Sequence, residues 1–185
     1  MNSADYDYTI GSVHYARLGE KYIEYDTSAE LAIKEIREDF CGDGMAYARA
    51  YYDNMASIAA RLDFDIVGHF DVLTKYCEKY GEFLDTDSPV YRKMALEALH
   101  SVRERRELFE VNTGAISRGY RTAPYPAPFI LDEMKRLDCK LVITSDCHNR
   151  AFLDCHFREA REYLRAHGFD TVYKLTRQGF LGEKI

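Results

Sequence analysis

The chain has 185 residues, 46% of them hydrophobic and 30% charged, the proportions of one soluble domain with a real core rather than of a disordered or fibrous chain. A formal net charge of −6 excludes the broad basic footprint that nucleic acid or an anionic membrane surface requires, so a phosphate-bearing ligand must be caught by a few local cations or metals. Apolar runs such as Leu141-Val142-Ile143 are too short to cross a bilayer, and with no export signal the scattered cysteines (Cys41, Cys77, Cys139, Cys147, Cys155) point to reduced thiols in a cytoplasm.

The first apolar stretch runs from Tyr8 to His14 and reads as a buried strand ending near His14. Thr27 or Ser28 can cap a helix reaching Arg37. Gly42-Asp43-Gly44 breaks the pattern before a long helix from Met45 to Leu62, whose tyrosines, Tyr51-Tyr52 among them, read as packing residues with a wet edge. Asp65 to His69 is a second strand, and Tyr76 to Asp85 fits no template. Asp87 or Ser88 with Pro89 opens a helix reaching about Arg105. Leu108 to Asn112 is a third strand, followed by a long Gly- and Pro-bearing loop from Thr113 to Pro128. A helix from Pro128 to Leu137, a strand from Lys140 to Thr144, a helix from Leu153 to His167 and a last strand from Thr171 to Leu175 complete the chain. About five near-continuous apolar strands alternating with amphipathic helices predict an α/β fold with right-handed βαβ units and a parallel sheet, an open sheet or part of a barrel.

Polar residues fall at the strand ends. His14 closes the first strand, His69 and Asp71 the second, Glu110 and Asn112 the third, and Ser145, Asp146 and His148 the fourth. In parallel α/β folds these ends share one rim where ligands meet. Each residue also has a plain structural reading, an aspartate as a turn cap or a histidine bonded to backbone. Three histidines and an aspartate on one rim shift the balance towards metal. If strand geometry continues past Thr144, Asp146 and His148 share a face and Cys147 points away. His100, His156 and His167 sit on predicted helices and read as surface residues. The segment Ser117-Arg118-Gly119-Tyr120-Arg121 lies on the same rim and offers guanidinium groups for phosphate, or simply solvated loop charges. No nucleophile elbow, Walker loop, dinucleotide fingerprint or HExxH occurs.

Taken in order, Ile10-Gly11-Ser12-Val13-His14-Tyr15, Asp65 to Asp71, Phe109 to Gly114, Arg118 to Arg121, Pro124-Tyr125-Pro126-Ala127-Pro128 and Thr144 to His148 resemble segments of the polymerase-and-histidinol-phosphatase (PHP) family of metal-dependent histidinol-phosphatases. The resemblance spans nearly the whole chain. It implies that residues 1–185 are a single, N-terminally incomplete domain, the C-terminal part of a seven-stranded (β/α) PHP-type barrel. It further implies hydrolysis of L-histidinol phosphate to L-histidinol and phosphate in histidine biosynthesis. His14, His69, Asp146 and His148 match ligands of divalent metal ions (Zn, Mn or Fe), which would generate and orient hydroxide. Asp146 or His148 would assist proton transfer, and Arg118 or Arg121 would contact the phosphate. Ser117 stands where the family often has Arg, and Cys147 replaces a small residue. The family's opening His-x-His segment is absent before His14, a portion of roughly 60–100 residues at about 30 per β/α unit. The expectation is therefore a chain inactive or weak alone, with open barrel edges suited to self-association. Another PHP-type phosphoesterase, or a non-catalytic remnant that binds a partner, are the alternatives; the acidic balance argues against nucleic-acid ends as substrate.

Overall fold

A parallel sheet forms wherever short apolar strands are returned to one edge by helices that bury a stripe of their own. The computed structural model describes residues 6–81 and 83–185, and in it this logic builds a four-stranded parallel sheet in the order β1-β4-β5-β6. The strands are β1 (Ile10–Gly11), β4 (Ile66–Val67), β5 (Leu108–Asn112) and β6 (Lys140–Thr144). Ile10 stands beside Ile66, Val67 beside Phe109, and β5 pairs with β6 from Leu108↔Lys140 to Asn112↔Thr144. All five residues of β5 are buried, as a strand hydrogen-bonded on both sides and covered on both faces should be.

The helices begin where side chains can satisfy their first backbone N–H groups. Ser28 Oγ accepts from Leu31 N at 3.1 Å and opens α1 (Ala29–Asp39). Asp43 Oδ1 accepts from Met45 and Ala46 at 2.9 and 3.0 Å and opens α2 (Gly44–Arg61). Ser88, with Pro89 at the first helical position, opens α4 (Pro89–Arg103). The segment that fits no sequence template holds a single helical turn, α3 (Cys77–Tyr80), and follows a 3₁₀ turn at Val72–Thr74.

Along α2, Tyr47, Tyr51, Tyr52, Met55 and Ala59 are buried, the i, i+4, i+8 stripe of a helix facing a core. That stripe packs on α4, and α4 on α6 (Pro128–Arg136). Tyr47, Tyr51 and Tyr52 are fully enclosed rather than wet at one edge. Their hydroxyls are satisfied internally: Tyr52 Oη meets Tyr91 Oη at 2.9 Å, Tyr51 donates to the Phe70 carbonyl at 3.1 Å and Tyr47 to the Glu24 carbonyl at 3.2 Å.

Strand alternation divides the sheet. Val67, Phe109, Val111 and Leu141 face the helical core, whereas Ile10, Ile66, Glu110, Val142 and Thr144 line a cleft of about 450 Å³ on the other face.

Three expectations are corrected. The first strand is two residues long and ends before His14, because the chain turns into an antiparallel hairpin, β2 (Tyr15–Leu18) and β3 (Lys21–Glu24), with Ala16 and Ile23 turned to the core. The fifth strand does not extend the parallel sheet. As β7 (Thr171–Thr176) it pairs antiparallel with β8 (Gly179–Lys184) through a turn closed by Gly179 at φ 93°. The helix expected from Leu153 begins only at Phe157, as α7 (Phe157–Ala166), after a 3₁₀ turn at Arg150–Phe152.

Candidate functional site at the strand ends

Glu110 organises the carboxyl ends of β4, β5 and β6. Its Oε2 accepts the His69 backbone N–H at 2.6 Å and Asn112 Nδ2 at 3.0 Å, while Oε1 accepts the Thr144 hydroxyl at 2.6 Å. A buried carboxylate has to be satisfied by hydrogen bonds, and these three draw three strand ends together. His69 is thereby fixed at the end of β4, only 6% exposed. Burial pushes its imidazole below the ordinary 6.5, and its Nδ1 is buried without a hydrogen-bond partner.

The His14 ring lies edge-on to that of His69, with centroids 4.9 Å apart. Its Nδ1 is 3.1 Å from Asp26 Oδ2, and this bond raises its pKa above 6.5 despite partial burial. Burial alone would push Asp26 up, but His14 and the Lys75 ammonium outweigh it and hold the carboxyl below its usual range. Lys75 Nζ donates to the Asp26 carbonyl at 2.8 Å and lies over the rings of Tyr76 and Tyr120. Its burial lowers its pKa, opposed chiefly by Asp26.

After β6 the chain does not stay extended. Asp146 takes φ 44°, a left-handed conformation that aspartate tolerates better than most residues, so strand geometry does not carry through to His148. Arg118, just beyond α5 (Gly114–Ser117), gathers this turn instead. Its Nη2 donates to Asp146 Oδ2 and its Nη1 to the Asp146 carbonyl, both at 3.1 Å. His148 Nδ1 is 2.7 Å from that carbonyl and 3.1 Å from Arg118 Nη1. The first contact needs a proton on Nδ1 and the second a lone pair, so the two exclude each other. Gly114 makes the arrangement possible: a Cβ there would stand 2.8 Å from the Ser145 carbonyl and 2.9 Å from Arg118 Nη2.

Of the six residues expected at a site, five share this rim: His14, His69, Asp146, His148 and Arg118. Arg121 is placed apart from them. Its Nη1 donates to Thr74 Oγ1 at 2.7 Å and lies 4.0 Å from Asp71 Oδ2, with the guanidinium stacked on Tyr125. Asp71 is fully buried; burial raises its carboxyl, opposed by Arg121. The exposed Cys147 is not aimed at the rim; its Sγ is 2.8 Å from the Asn149 carbonyl. His100 pairs with Glu133 and His167 with Asp132 on the outer surface. Two rim residues escaped sequence reasoning. Lys75 had one readable signal, a lysine between Val72-Leu73-Thr74 and Tyr76-Cys77 in an otherwise uncharged run, and Asp26 had none.

The fit of a metal can be tested against this geometry. The unpartnered Nδ1 of His69 would suit one. Yet no group of three or more His, Cys, Asp or Glu side chains converges on an ion position among the described residues, and the Asp146 carboxylate is engaged by Arg118. As arranged, the four candidate ligands do not form a metal cage. What the rim offers is a guanidinium and an ammonium beside carboxylates and imidazoles, an arrangement suited to binding an anion through directed hydrogen bonds.

No family model matches the chain. It is similar to a protein of Deinococcus radiodurans named "Probable histidinol-phosphatase", 33% identical over 168 residues, which are 91% of this chain and 57% of that protein. The crystal structure of hisK of Listeria monocytogenes, a "putative histidinol phosphatase", superposes with a TM-score of 0.65 at 19% identity, over 81% of this chain and 56% of that one. The second likeness is one of fold. The chain thus spans a little over half the length of each protein it matches. No described helix is long and apolar enough to cross a membrane.

Proposed function

We propose that this chain is the C-terminal part of a PHP-type histidinol-phosphatase, a phosphoric monoester hydrolase acting on L-histidinol phosphate, and that its ligand sits on the rim formed by His14, His69, Arg118, Asp146 and His148. The observation that carries the reading is the convergence of those five side chains, supplied by four separate segments, at the carboxyl ends of one parallel sheet. The 33% identity over 168 residues supports the substrate class.

The chain's own groups define the binding step. Arg118 spends one Nη2 hydrogen on Asp146 and the Nη1 group on the Asp146 carbonyl. A guanidinium has five N–H donors, so the second Nη2 hydrogen is free to take a phosphate oxygen while the ion pair persists. Lys75 supplies a second cation on the Asp26 side. The ammonium and imidazole of L-histidinol phosphate would in turn meet the rim carboxylates. The family resemblance implies divalent metal (Zn, Mn or Fe), but its candidate ligands His14, His69, Asp146 and His148 do not converge on one ion position among the described residues. A phosphate-release assay on L-histidinol phosphate and a panel of other small monoesters, run with Mn²⁺, with Zn²⁺ and with chelator, tests the reading. Preferential release from L-histidinol phosphate is expected; release from another ester with L-histidinol phosphate ignored would transfer the chain to a different phosphoesterase activity.

A second reading is favoured by the candidate ligands, which do not converge in a group of three among the described residues: the rim binds the phosphate ester without turning it over, as a part of a larger assembly. Of the sheet's two outer strands, β6 is flanked by β7, which leaves β1 as the edge along which a second copy could associate. Saturable binding with no phosphate release under any metal condition would select this reading.

A further inference from the structure

We infer that Asp26, clamped by Lys75 and Tyr76, is the positioning residue that fixes the His14 imidazole in one tautomer, with the proton on Nδ1 and the Nε2 lone pair left for the site. His14 Nδ1 is 3.1 Å from Asp26 Oδ2. An ionised carboxylate only accepts hydrogen bonds, so Nδ1 must carry the proton and a neutral His14 must present Nε2 unprotonated.

The hold depends on Asp26 being immobile, and three contacts make it so. Lys75 Nζ donates to its backbone carbonyl at 2.8 Å and stands 3.9 Å from its Oδ2. The Tyr76 hydroxyl lies 2.8 Å from the carbonyls of both Asp26 and Thr27. From the other side the Tyr25 backbone N–H donates to the His14 carbonyl at 3.1 Å, closing the base of the β2–β3 hairpin. The hairpin therefore has a purpose beyond packing: it brings residue 26 back against residue 14. His69 cannot set the His14 tautomer in Asp26's place, since the two rings meet edge to face. Lys75 is itself enclosed, which suits a fixed strut better than a mobile surface cation.

The importance of this tautomer for phosphate-ester chemistry rests on the proposed function; the hold of Asp26 on His14 does not. The test is therefore spectroscopic. Long-range ¹H–¹⁵N correlation spectra of the ¹⁵N-histidine-labelled chain, at a pH where the imidazole is neutral, report the protonated nitrogen of each ring. His14→Ala identifies the His14 signals. A charge-assisted bond of this kind is worth roughly a tenfold or greater population ratio, so wild-type His14 is expected to show the Nδ1–H form in at least about tenfold excess. Asp26→Asn, nearly isosteric, should lose that excess while the His148 signals and the unfolding midpoint stay in place. Lys75→Met, which loosens Asp26 without removing it, should lower the ratio partway. A His14 ring protonated on Nε2 in the wild type, or an unchanged ratio in Asp26→Asn, would overturn the assignment. Phosphate release measured on the same variants then separates the two claims: a tautomer switch without change in release contradicts a part for this tautomer in the chemistry, and no release from wild type under any metal condition contradicts the function, while both leave the positioning intact.

Discussion

Replacing Glu110 should cost more stability than any single residue exposed at the rim. Its carboxylate holds three donors from three segments: the His69 N–H at 2.6 Å, Asn112 Nδ2 at 3.0 Å and the Thr144 hydroxyl at 2.6 Å, and the residue is only 4% exposed. Glu110→Gln can keep two bonds to its amide oxygen and turn its NH₂ towards Thr144, whose hydroxyl can accept. The loss is then the difference between charged and neutral hydrogen bonds, about 1 kcal/mol each and about 2–3 kcal/mol together. Glu110→Ala leaves three donors without an acceptor at about 1–3 kcal/mol each, reduced where water enters from the adjoining cleft, so about 3–5 kcal/mol is expected. Urea unfolding followed by circular dichroism reads both. With a slope of about 2 kcal/mol per molar, Glu110→Gln should move the midpoint down by about 1 M and Glu110→Ala by about 2 M. A Glu110→Gln midpoint within about 0.2 M of wild type, or an Ala variant no worse than Gln, would show that the carboxylate does not tie the strand ends.

Gly114→Ala should displace Arg118 from the Ser145-Asp146 turn, lowering stability by about 1–3 kcal/mol and weakening affinity for L-histidinol phosphate together, read by urea unfolding and calorimetry on the same samples. Ser88→Ala removes the acceptor for Tyr91 N at the start of α4 and should cost about 1 kcal/mol in the same unfolding assay. Burial raises the Cys139 thiol to about 11; at pH 8 its alkylation should be at least about a hundredfold slower than that of an ordinary thiol near 8.5, and mass spectrometry should find the exposed Cys41 and Cys147 modified first. For His69 the folded pKa lies below the unfolded 6.5, so the native state resists protonation: its contribution is present above pH 6.5 and is lost as pH falls through the folded value. Urea midpoints taken from pH 7 to about pH 5 should therefore fall more steeply for the wild type than for His69→Leu. His14, raised and acting in the opposite sense, is common to both proteins.

The βα pattern was legible wherever one residue type decides a boundary. Ser28 and Ser88 mark helix starts by their hydroxyls, and β5 was readable to the residue because every position in Leu108–Asn112 is buried between neighbours; β6 was readable from its short β-branched apolar run Leu141-Val142-Ile143-Thr144. The β2–β3 hairpin was carried by a quieter signal, Gly19 at φ 61° followed by Glu20 between two short alternating runs. The pairing of β7 was hidden because a short apolar strand reads the same in parallel and antiparallel company; the turn before Gly179 decides it. At the rim, the strand-end rule placed His14, His69, Asp146 and His148 together. It could not show that Arg121 is enclosed with Asp71, fifty positions away, or that Asp26 and Lys75 meet at His14. Those partners come from non-adjacent segments whose approach only the folded chain sets.

The central claim, that this rim takes L-histidinol phosphate through Arg118, is tested most directly by calorimetric titration of the ester into the wild-type chain and Arg118→Ala, with L-histidinol and inorganic phosphate as controls. One charge-assisted bond to phosphate is worth roughly ten- to hundredfold in affinity. The account predicts saturable binding of the ester by the wild type, weakened at least about tenfold in the folded Arg118→Ala variant, with L-histidinol binding little affected. Equal affinity in the two proteins, or no saturable binding by the folded wild type, would contradict it.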